Sequence, residues 1–234
     1  MANRTRTVGR QAAIALVVAV ILGACSTPQP RTITVTFIRH AQSEANAAGI
    51  IATDVPGPGL TEEGRGQARQ IARQLQGNRY DGVYASSMAR SQQTAAPLAT
   101  EIGRAVQVLP GLREIDAGWY DDTSSSRADL TYLVAPQGWL RGDRGLAIPG
   151  SIDGNEFNDQ FGAAVQKIYD SGDANPVAIS HGTAIMAWTL MNVKNPRASL
   201  MTDHPLPNIG RVVITGSPGT GWKLVDWDGI RTFS

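Results

Sequence analysis

The sequence is poor in the residues that cross-link small domains. Its 234 residues include one cysteine and three histidines. A single cysteine cannot form an internal disulfide, and one thiol with three imidazoles cannot build a Cys/His structural zinc site. The apolar content of 42% and the charged content of 18% are those of an ordinary globular protein. They exclude a collagen-like, coiled-coil or wholly disordered chain.

The sequence also has no excess of positive charge over its main part. It carries 21 basic and 20 acidic residues, a net charge of +1. Arg4, Arg6 and Arg10 precede every acidic residue, so residues 25–234 carry 21 − 3 = 18 basic and 20 acidic residues, a net of −2. Without a basic stripe to hold a phosphate backbone, we expect no nucleic-acid partner.

The N-terminal segment predicts export. Residues 12–22 form an uncharged apolar run, too short for a transmembrane helix of roughly 20 residues but suited to a signal peptide. No Arg-Arg pair precedes it, which favours the general secretory route. Residues 22–25, Leu-Gly-Ala-Cys, resemble the bacterial lipobox. The resemblance implies a signal peptide over residues 1–24, a lipidated Cys25 facing outward from the cytoplasmic membrane, and a tether over residues 25–31. A plain signal peptide with an incidental cysteine is the alternative.

Residues 32–234 alternate between the patterns of strands and amphipathic helices. This alternation predicts an α/β three-layer sandwich, with a mostly parallel central sheet flanked by helices. The predicted strands cover residues 33–38, 82–85, 105–109, 177–180, 211–215 and 222–226. The predicted helices cover residues 43–48, 61–76 (ended by Gly77), 88–102 (kinked or shortened by Pro97), 156–169 and 181–191.

Residues 117–154 lack clear periodicity and are rich in Gly, Pro, Ser and Asp. At nearly forty residues the segment is too long for an ordinary connection. We expect it to be a lid-like insertion over a functional site, and a mobile insertion is the alternative.

Polar side chains cluster just beyond the predicted strands, where open α/β sheets bind their ligands. Arg39 and His40 follow the first strand. Arg90 lies one turn into the helix after the second, behind a pair of serines. The third strand leads to Glu114, and the fourth ends at His181. These two histidines, two arginines and a carboxylate are expected to meet at one edge of the sheet.

Five motifs carry a family resemblance. They are RHAQSEAN at residues 39–46, LTEEG at 60–64, SSMARSQQTA at 86–95, LREIDAG at 112–118 and SHG at 180–182. In this order and spacing they resemble the histidine phosphatase superfamily, in its phosphoglycerate-mutase-like branch. The chemistry agrees, because a planar guanidinium grips phosphoryl oxygens bidentately and neutral imidazole is a nucleophile near pH 7.

The resemblance implies a role for each candidate residue. His40 attacks phosphorus and becomes a phosphohistidine. Arg39 and Arg90 bind the phosphoryl group, and His181 donates to its equatorial oxygens. Glu114 is the general acid and base, with Asp116 as the alternative. Two further residues, Asn46 and Ser43, add hydrogen bonds to the phosphoryl oxygens.

These roles predict a phosphomonoester hydrolase that needs neither metal nor cofactor and acts on a phosphorylated small molecule. A mutase is less favoured, because residues 117–154 contain no lysine and no adjacent arginine pair with which to hold a bisphosphate. Ala41 stands where the family usually has glycine, which leaves open a weak or inactive phosphatase fold that only binds a phosphorylated ligand or a protein partner. The sequence does not predict the substrate, the pH optimum or the oligomeric state.

Overall fold

The computed structural model describes residues 1–2 and 30–233. The predicted signal peptide, Cys25 and most of the tether lie outside the described residues, apart from residues 1 and 2, so these features stay predictions. Within the described ranges, no helix is both long and apolar enough to cross a membrane.

Six strands form one mixed sheet in the order β3-β2-β4-β1-β5-β6. The pairs β3–β2, β2–β4 and β4–β1 are parallel, and β5 runs antiparallel to both β1 and β6. The predicted mostly parallel α/β sheet is therefore confirmed. The strand bounds are β1 Ile33–Arg39, β2 Gly82–Ala85, β3 Val106–Val108, β4 Pro176–Ser180, β5 Arg211–Ser217 and β6 Gly221–Trp227.

Helices cover both faces of the sheet. On one face α2 and α3 bury an aliphatic cluster against β2 and β4, which includes Leu98 and Val177. On the other face α5 and α6 bury an aromatic cluster, in which Phe161 stacks on Trp188 at 5.2 Å between ring centroids. The helix bounds are α1 Glu44–Ala48, α2 Glu62–Leu75, α3 Ala89–Glu101, α4 Val134–Leu140, α5 Gly154–Asp170, α6 Gly182–Asn192 and α7 Leu200–Asp203.

Two local predictions were wrong. The helix α3 is not shortened at Pro97: it continues to Glu101, since burial of its residues on both sides of the proline overrides the lost backbone hydrogen bond. A kink at Pro97 stays a prediction. Gly77 does not end α2: the helix stops at Leu75, a 3-10 turn follows, and Arg79 adopts the left-handed conformation at φ 52°.

Residues 117–154 pack onto the body of the protein. They contain two 3-10 segments, Gly118–Tyr120 and Ser125–Leu130, followed by α4. Trp139 of α4 is buried and stacks on Phe157 of α5 at 5.5 Å between centroids. This packing fixes where the segment lies, whereas its action as a lid stays a prediction.

Candidate active site

The predicted residues converge at the carboxyl edge of the sheet. Arg39 and His40 lie at the end of β1, and His181 directly follows β4, its parallel neighbour. A cavity of about 160 Å³ opens there. It is lined by six of the seven predicted catalytic and substrate-binding residues, namely Arg39, His40, Ser43, Asn46, Arg90 and Glu114.

The hydrogen bonds of His40 fix its tautomer. Arg90 Nε lies 3.1 Å from His40 Nε2, and a guanidinium nitrogen can only donate, so Nε2 carries a lone pair. The proton of the neutral ring is then on Nδ1, which donates to the Ala41 carbonyl at 2.7 Å. His40 therefore has an unprotonated nitrogen beside a fixed cation.

The two arginines are anchored through part of each guanidinium. Arg39 Nη1 donates to the Leu206 carbonyl at 2.6 Å, and Arg90 Nη2 donates to the Ala52 carbonyl at 2.9 Å. Arg39 Nε and Arg90 Nη1 are buried and have no hydrogen-bond partner among the described residues. These two donors suit an anion, because buried donors are rarely left unpaired.

His181 lies behind the cavity rather than on its wall. Its ring is fully buried, and its centroid is 5.0 Å from that of His40. Ser86 Oγ is 2.8 Å from His181 Nε2 and accepts from the Met88 N–H. A hydroxyl has one proton and two lone pairs, so Ser86 can donate to Nε2 or accept from it. When Ser86 donates, the ring proton of His181 is on Nδ1, which is buried without a partner in the described part of the chain. In that tautomer His181 keeps one donor for a phosphoryl oxygen.

Glu114 and Asp116 occupy different environments. Glu114 lines the cavity, and its carboxylate accepts from the backbone N–H groups of Thr183 and Ala184, at the start of α6, at 3.2 and 2.9 Å. Asp116 is exposed, lies outside the cavity wall, and accepts from the Gly118 N–H. Of the two carboxylates, Glu114 is the one placed to reach a bound ester.

Local hydrogen bonds leave the side-chain NH₂ group of Asn46 available to the cavity. Ser43 caps α1 by accepting from the Asn46 N–H, and its own N–H donates to Asn46 Oδ1 at 3.3 Å. Asn208 Nδ2 donates to the same oxygen at 3.0 Å. Because Asn46 Oδ1 is engaged twice, its NH₂ group remains as the donor available to the cavity.

Burial and charge set the protonation states of the site. Desolvation, with Arg90 as the next cause, lowers the pKa of His40 and that of His181 well below the usual value of 6.5. Desolvation raises the pKa of Glu114 above 4.5, although backbone N–H donors and Arg90 oppose the shift. Burial therefore favours the neutral form of both imidazoles and shifts the Glu114 carboxyl group toward its protonated form.

The substitution at Ala41 is compatible with the site. Ala41 does not have a positive φ, and its methyl group is buried in a small cluster with Leu60 and Ala68. Its N–H donates to Thr94 Oγ1 at 3.0 Å. The methyl group thus packs into the protein interior, which removes the structural objection to alanine at this position.

Sequence reasoning missed several supporting residues. Ser86 was placed at a strand end but given no contact to His181. Thr94 lies one turn after Arg90 and accepts the Ala41 N–H. Asn208, in the loop before β5, donates to the His40 carbonyl at 3.0 Å. The i, i+4 spacing of Arg90 and Thr94 could have suggested that Thr94 lies near the site. Nothing in the sequence indicates the contact of Ser86 with His181 or that of Asn208 with His40.

Over residues 1–2 and 30–233, three or more Asp, Glu, His or Cys side chains nowhere gather in an arrangement that could hold a metal ion. Independence from metals and cofactors stays a prediction to be tested in solution.

Comparison with known proteins agrees with this geometry. A PE-PGRS family protein of Mycobacterium tuberculosis is 47% identical over 216 residues, or 86% of this chain, but the chain spans only 37% of that protein. A protein of Cronobacter sakazakii named "Probable phosphoglycerate mutase" is 29% identical over 155 residues, covering 64% of this chain and 69% of that protein. These matches include the phosphoglycerate-mutase-like relatives that the motifs predicted.

Solved structures share the fold. The mycobacterial glucosyl-3-phosphoglycerate phosphatase in complex with VO3 superposes with a TM-score of 0.69 at 22% identity, covering 83% of this chain and 98% of its own. The sequence pattern that defines the histidine phosphatase superfamily (branch 1) matches residues 35–229. This family supports the predicted enzyme class, a histidine-type phosphatase. Because the match covers most of the chain and includes all five catalytic candidates, the chain belongs to the histidine phosphatase superfamily.

Proposed function

We propose that the chain hydrolyses phosphomonoesters through a phosphohistidine on His40. One observation carries the proposal: Arg90 Nε lies 3.1 Å from His40 Nε2, while His40 Nδ1 is committed to the Ala41 carbonyl. The unprotonated nitrogen of His40 therefore lies within contact of a cationic donor. A phosphoryl group that enters the cavity takes over the Arg90 N–H and meets the lone pair of His40.

In the first step His40 Nε2 displaces the alcohol. A P–N bond forms as the ester P–O bond breaks, and the leaving oxygen takes the proton of Glu114. Arg39, Arg90 and the Nδ1–H of His181 stabilise the charge on the three equatorial oxygens. The raised pKa of Glu114 supports this role, since a carboxyl group must hold its proton to donate it.

In the second step water releases the phosphate. The Glu114 carboxylate, now ionised, takes a proton from a water molecule that attacks phosphorus, and the P–N bond breaks. Inorganic phosphate leaves, His40 returns to its neutral form, and Glu114 regains its proton. Each group ends the cycle in its starting state.

Hydrolysis is favoured over phosphoryl transfer between two positions of one substrate. A mutase must hold a second phosphoryl group, which needs further cations. Among the described residues, the cations on the cavity wall are Arg39 and Arg90. Both lie beside His40, so the rest of the cavity offers no charge to a second phosphate.

Trapping of the intermediate tests the proposal. A ³²P-labelled phosphomonoester, quenched in alkali, is expected to label the parent protein at an acid-labile bond. His40→Ala should lose both the label and p-nitrophenyl phosphate turnover, while the control His204→Ala, at an exposed histidine, should keep both. Labelled His40→Ala would overturn the assignment. Binding of phosphate without label or turnover in the parent protein would favour a binding role instead.

The proposal has two further parts that rest on the sequence: the reaction needs no metal, and a lipid on Cys25 anchors the protein to the membrane. Activity that is lost to a chelator and restored by a metal would contradict metal independence.

Anchoring through Cys25 is tested by [³H]palmitate labelling of cells and by fractionation. The parent protein should be labelled and membrane-bound, and Cys25→Ser should abolish the label. A parent protein without label would contradict lipidation.

A further inference from the structure

The cations of the cavity wall are confined to one group of residues. We call Arg39, His40, Arg90 and Glu114 the inner half of the cavity, and the uncharged residues Ile50, Ser125, Ala128, Tyr132 and Leu133 its outer half. The two arginines are the basic residues that line the cavity in the described part of the chain, and both belong to the inner half. A substrate therefore meets cations at its phosphoryl group and uncharged side chains, both apolar and polar, around its alcohol.

From this division we propose that the site selects phosphomonoesters of uncharged alcohols and discriminates against esters whose alcohol carries a carboxylate. The inference rests on the proposed hydrolase function. Its physical basis is that a carboxylate that enters the cavity loses hydration, and among the described residues the cavity wall offers it no cation besides the two that bind the phosphoryl group.

The two arginines are not free to pair with a carboxylate on the alcohol. Arg39 Nη1 and Arg90 Nη2 are held by backbone carbonyls, and Arg90 Nε is directed to His40. Their remaining donors are needed by the phosphoryl group, with its charge of about −1.5 to −2.

The arginines of the insertion do not reach the outer half. Arg127 and Arg141 are exposed, and Arg144 donates to the Met191 carbonyl at 2.9 Å. None of the three lines the cavity. The insertion instead contributes Ser125, Ala128, Tyr132 and Leu133 to the cavity wall, so the segment that would have to recognise a charged alcohol supplies no cation there.

Two esters that differ at one carbon test the inference. Glycerol 3-phosphate carries a CH₂OH group where 3-phosphoglycerate carries a carboxylate. At fixed pH and ionic strength, we expect kcat/KM for glycerol 3-phosphate to exceed that for 3-phosphoglycerate by at least about tenfold, which is about 1.4 kcal/mol. Equal values, or a preference for 3-phosphoglycerate, would overturn the inference.

A cation placed in the outer half should reverse the discrimination. Leu133→Lys is expected to raise kcat/KM for 3-phosphoglycerate relative to glycerol 3-phosphate, and Ala128→Lys provides a second variant if the first does not fold. The matched control is Leu130→Lys, because Leu130 is 64% exposed in the same segment and does not line the cavity. An equal change in the control would assign the effect to the charge of the whole protein and overturn the inference.

Failure of the inference can be distinguished from failure of the proposed function. If the parent protein turns over p-nitrophenyl phosphate and forms the His40 intermediate but accepts both esters equally, only the inference is wrong. If it turns over no phosphomonoester and forms no intermediate, the hydrolase function is wrong and the inference fails with it.

Discussion

The two halves of the cavity are built in different ways. The inner half combines Arg39 and His40 at the end of β1, Arg90 in the first turn of α3 and Glu114 in the loop after β3, beside a sheet that is packed on both faces. The outer half is made largely by the Ser125–Leu130 segment and the turn after it, where exposed residues outnumber buried ones. We infer that the inner half sets the rate of the chemistry and that the outer half sets which alcohol is accepted.

The largest effect should come from removing a cation of the inner half. Arg90→Ala is expected to lower kcat/KM for p-nitrophenyl phosphate about 10²–10³-fold, because its N–H groups act on charge that develops in the transition state. Arg90→Lys keeps the charge but loses the planar guanidinium, so its kcat/KM should lie between that of the parent protein and that of Arg90→Ala. In the outer half, Leu133→Ala should change kcat/KM for p-nitrophenyl phosphate by less than about tenfold.

Steady-state kinetics of these variants test whether the two halves of the cavity have different roles. Arg73→Ala, which removes an exposed arginine of α2, should behave as the parent protein. A larger loss in Leu133→Ala than in Arg90→Ala would mean that the outer half takes part in the chemistry, contrary to the division drawn above.

The next effect concerns the general acid. Glu114→Gln should lower kcat/KM about 10²-fold for an alkyl phosphate, whose leaving oxygen needs a proton. The loss should be smaller for p-nitrophenyl phosphate, whose phenolate leaves without one. Asp116→Asn, at the exposed carboxylate, should leave both rates unchanged. If Asp116→Asn shows the leaving-group dependence and Glu114→Gln does not, the acid is Asp116.

A smaller effect should follow from the contact behind the cavity. Ser86→Ala removes the hydroxyl that holds the His181 proton on Nδ1, and kcat should fall about tenfold, the value of one hydrogen bond of about 1.4 kcal/mol. Ser87→Ala is the matched control, because the structure shows no hydrogen bond of the Ser87 hydroxyl among the described residues. Nitrogen-15 NMR of the imidazoles should show His181 as the Nδ1–H tautomer in the parent protein and a mixture in Ser86→Ala. An unchanged tautomer would contradict this positioning role.

The sequence predicted the inner half far better than the outer half. Arg39, His40 and His181 follow short apolar strands with clear periodicity, and parallel strands end at one edge of a sheet. Their convergence could therefore be expected before the structure was known. The depth of His181 could not, because its position behind His40 depends on packing against β2 and on the Ser86 contact.

The outer half was hidden by its irregular sequence. Residues 117–154 show no period, so neither α4 nor the burial of Tyr132 was predicted. Trp139 is held by its contact with Phe157 and by a hydrogen bond from its indole to the Leu146 carbonyl. Such contacts join residues distant in the sequence, and local propensity carries no information about them.

The smallest expected effect concerns stability rather than rate. His181 is buried beside His40, Arg39 and Arg90, and its pKa is well below 6.5 in the folded protein. The unfolded chain binds a proton near pH 6.5 while the folded protein does not. The contribution of His181 to the free energy of unfolding is therefore complete above pH 6.5 and is lost as pH falls from 6.5 toward the lower pKa of the folded state.

Urea unfolding at pH 7.5 and 5.5 measures this contribution. The parent protein should lose more unfolding free energy between the two values than His181→Gln, and the control His204→Gln should match the parent. The raised pKa of Glu114 acts in the opposite direction, adding stability as pH falls, so the informative quantity is the difference between each variant and the parent. An identical pH dependence in His181→Gln would mean that His181 takes up its proton while the protein is folded, which is incompatible with a neutral imidazole behind the cavity.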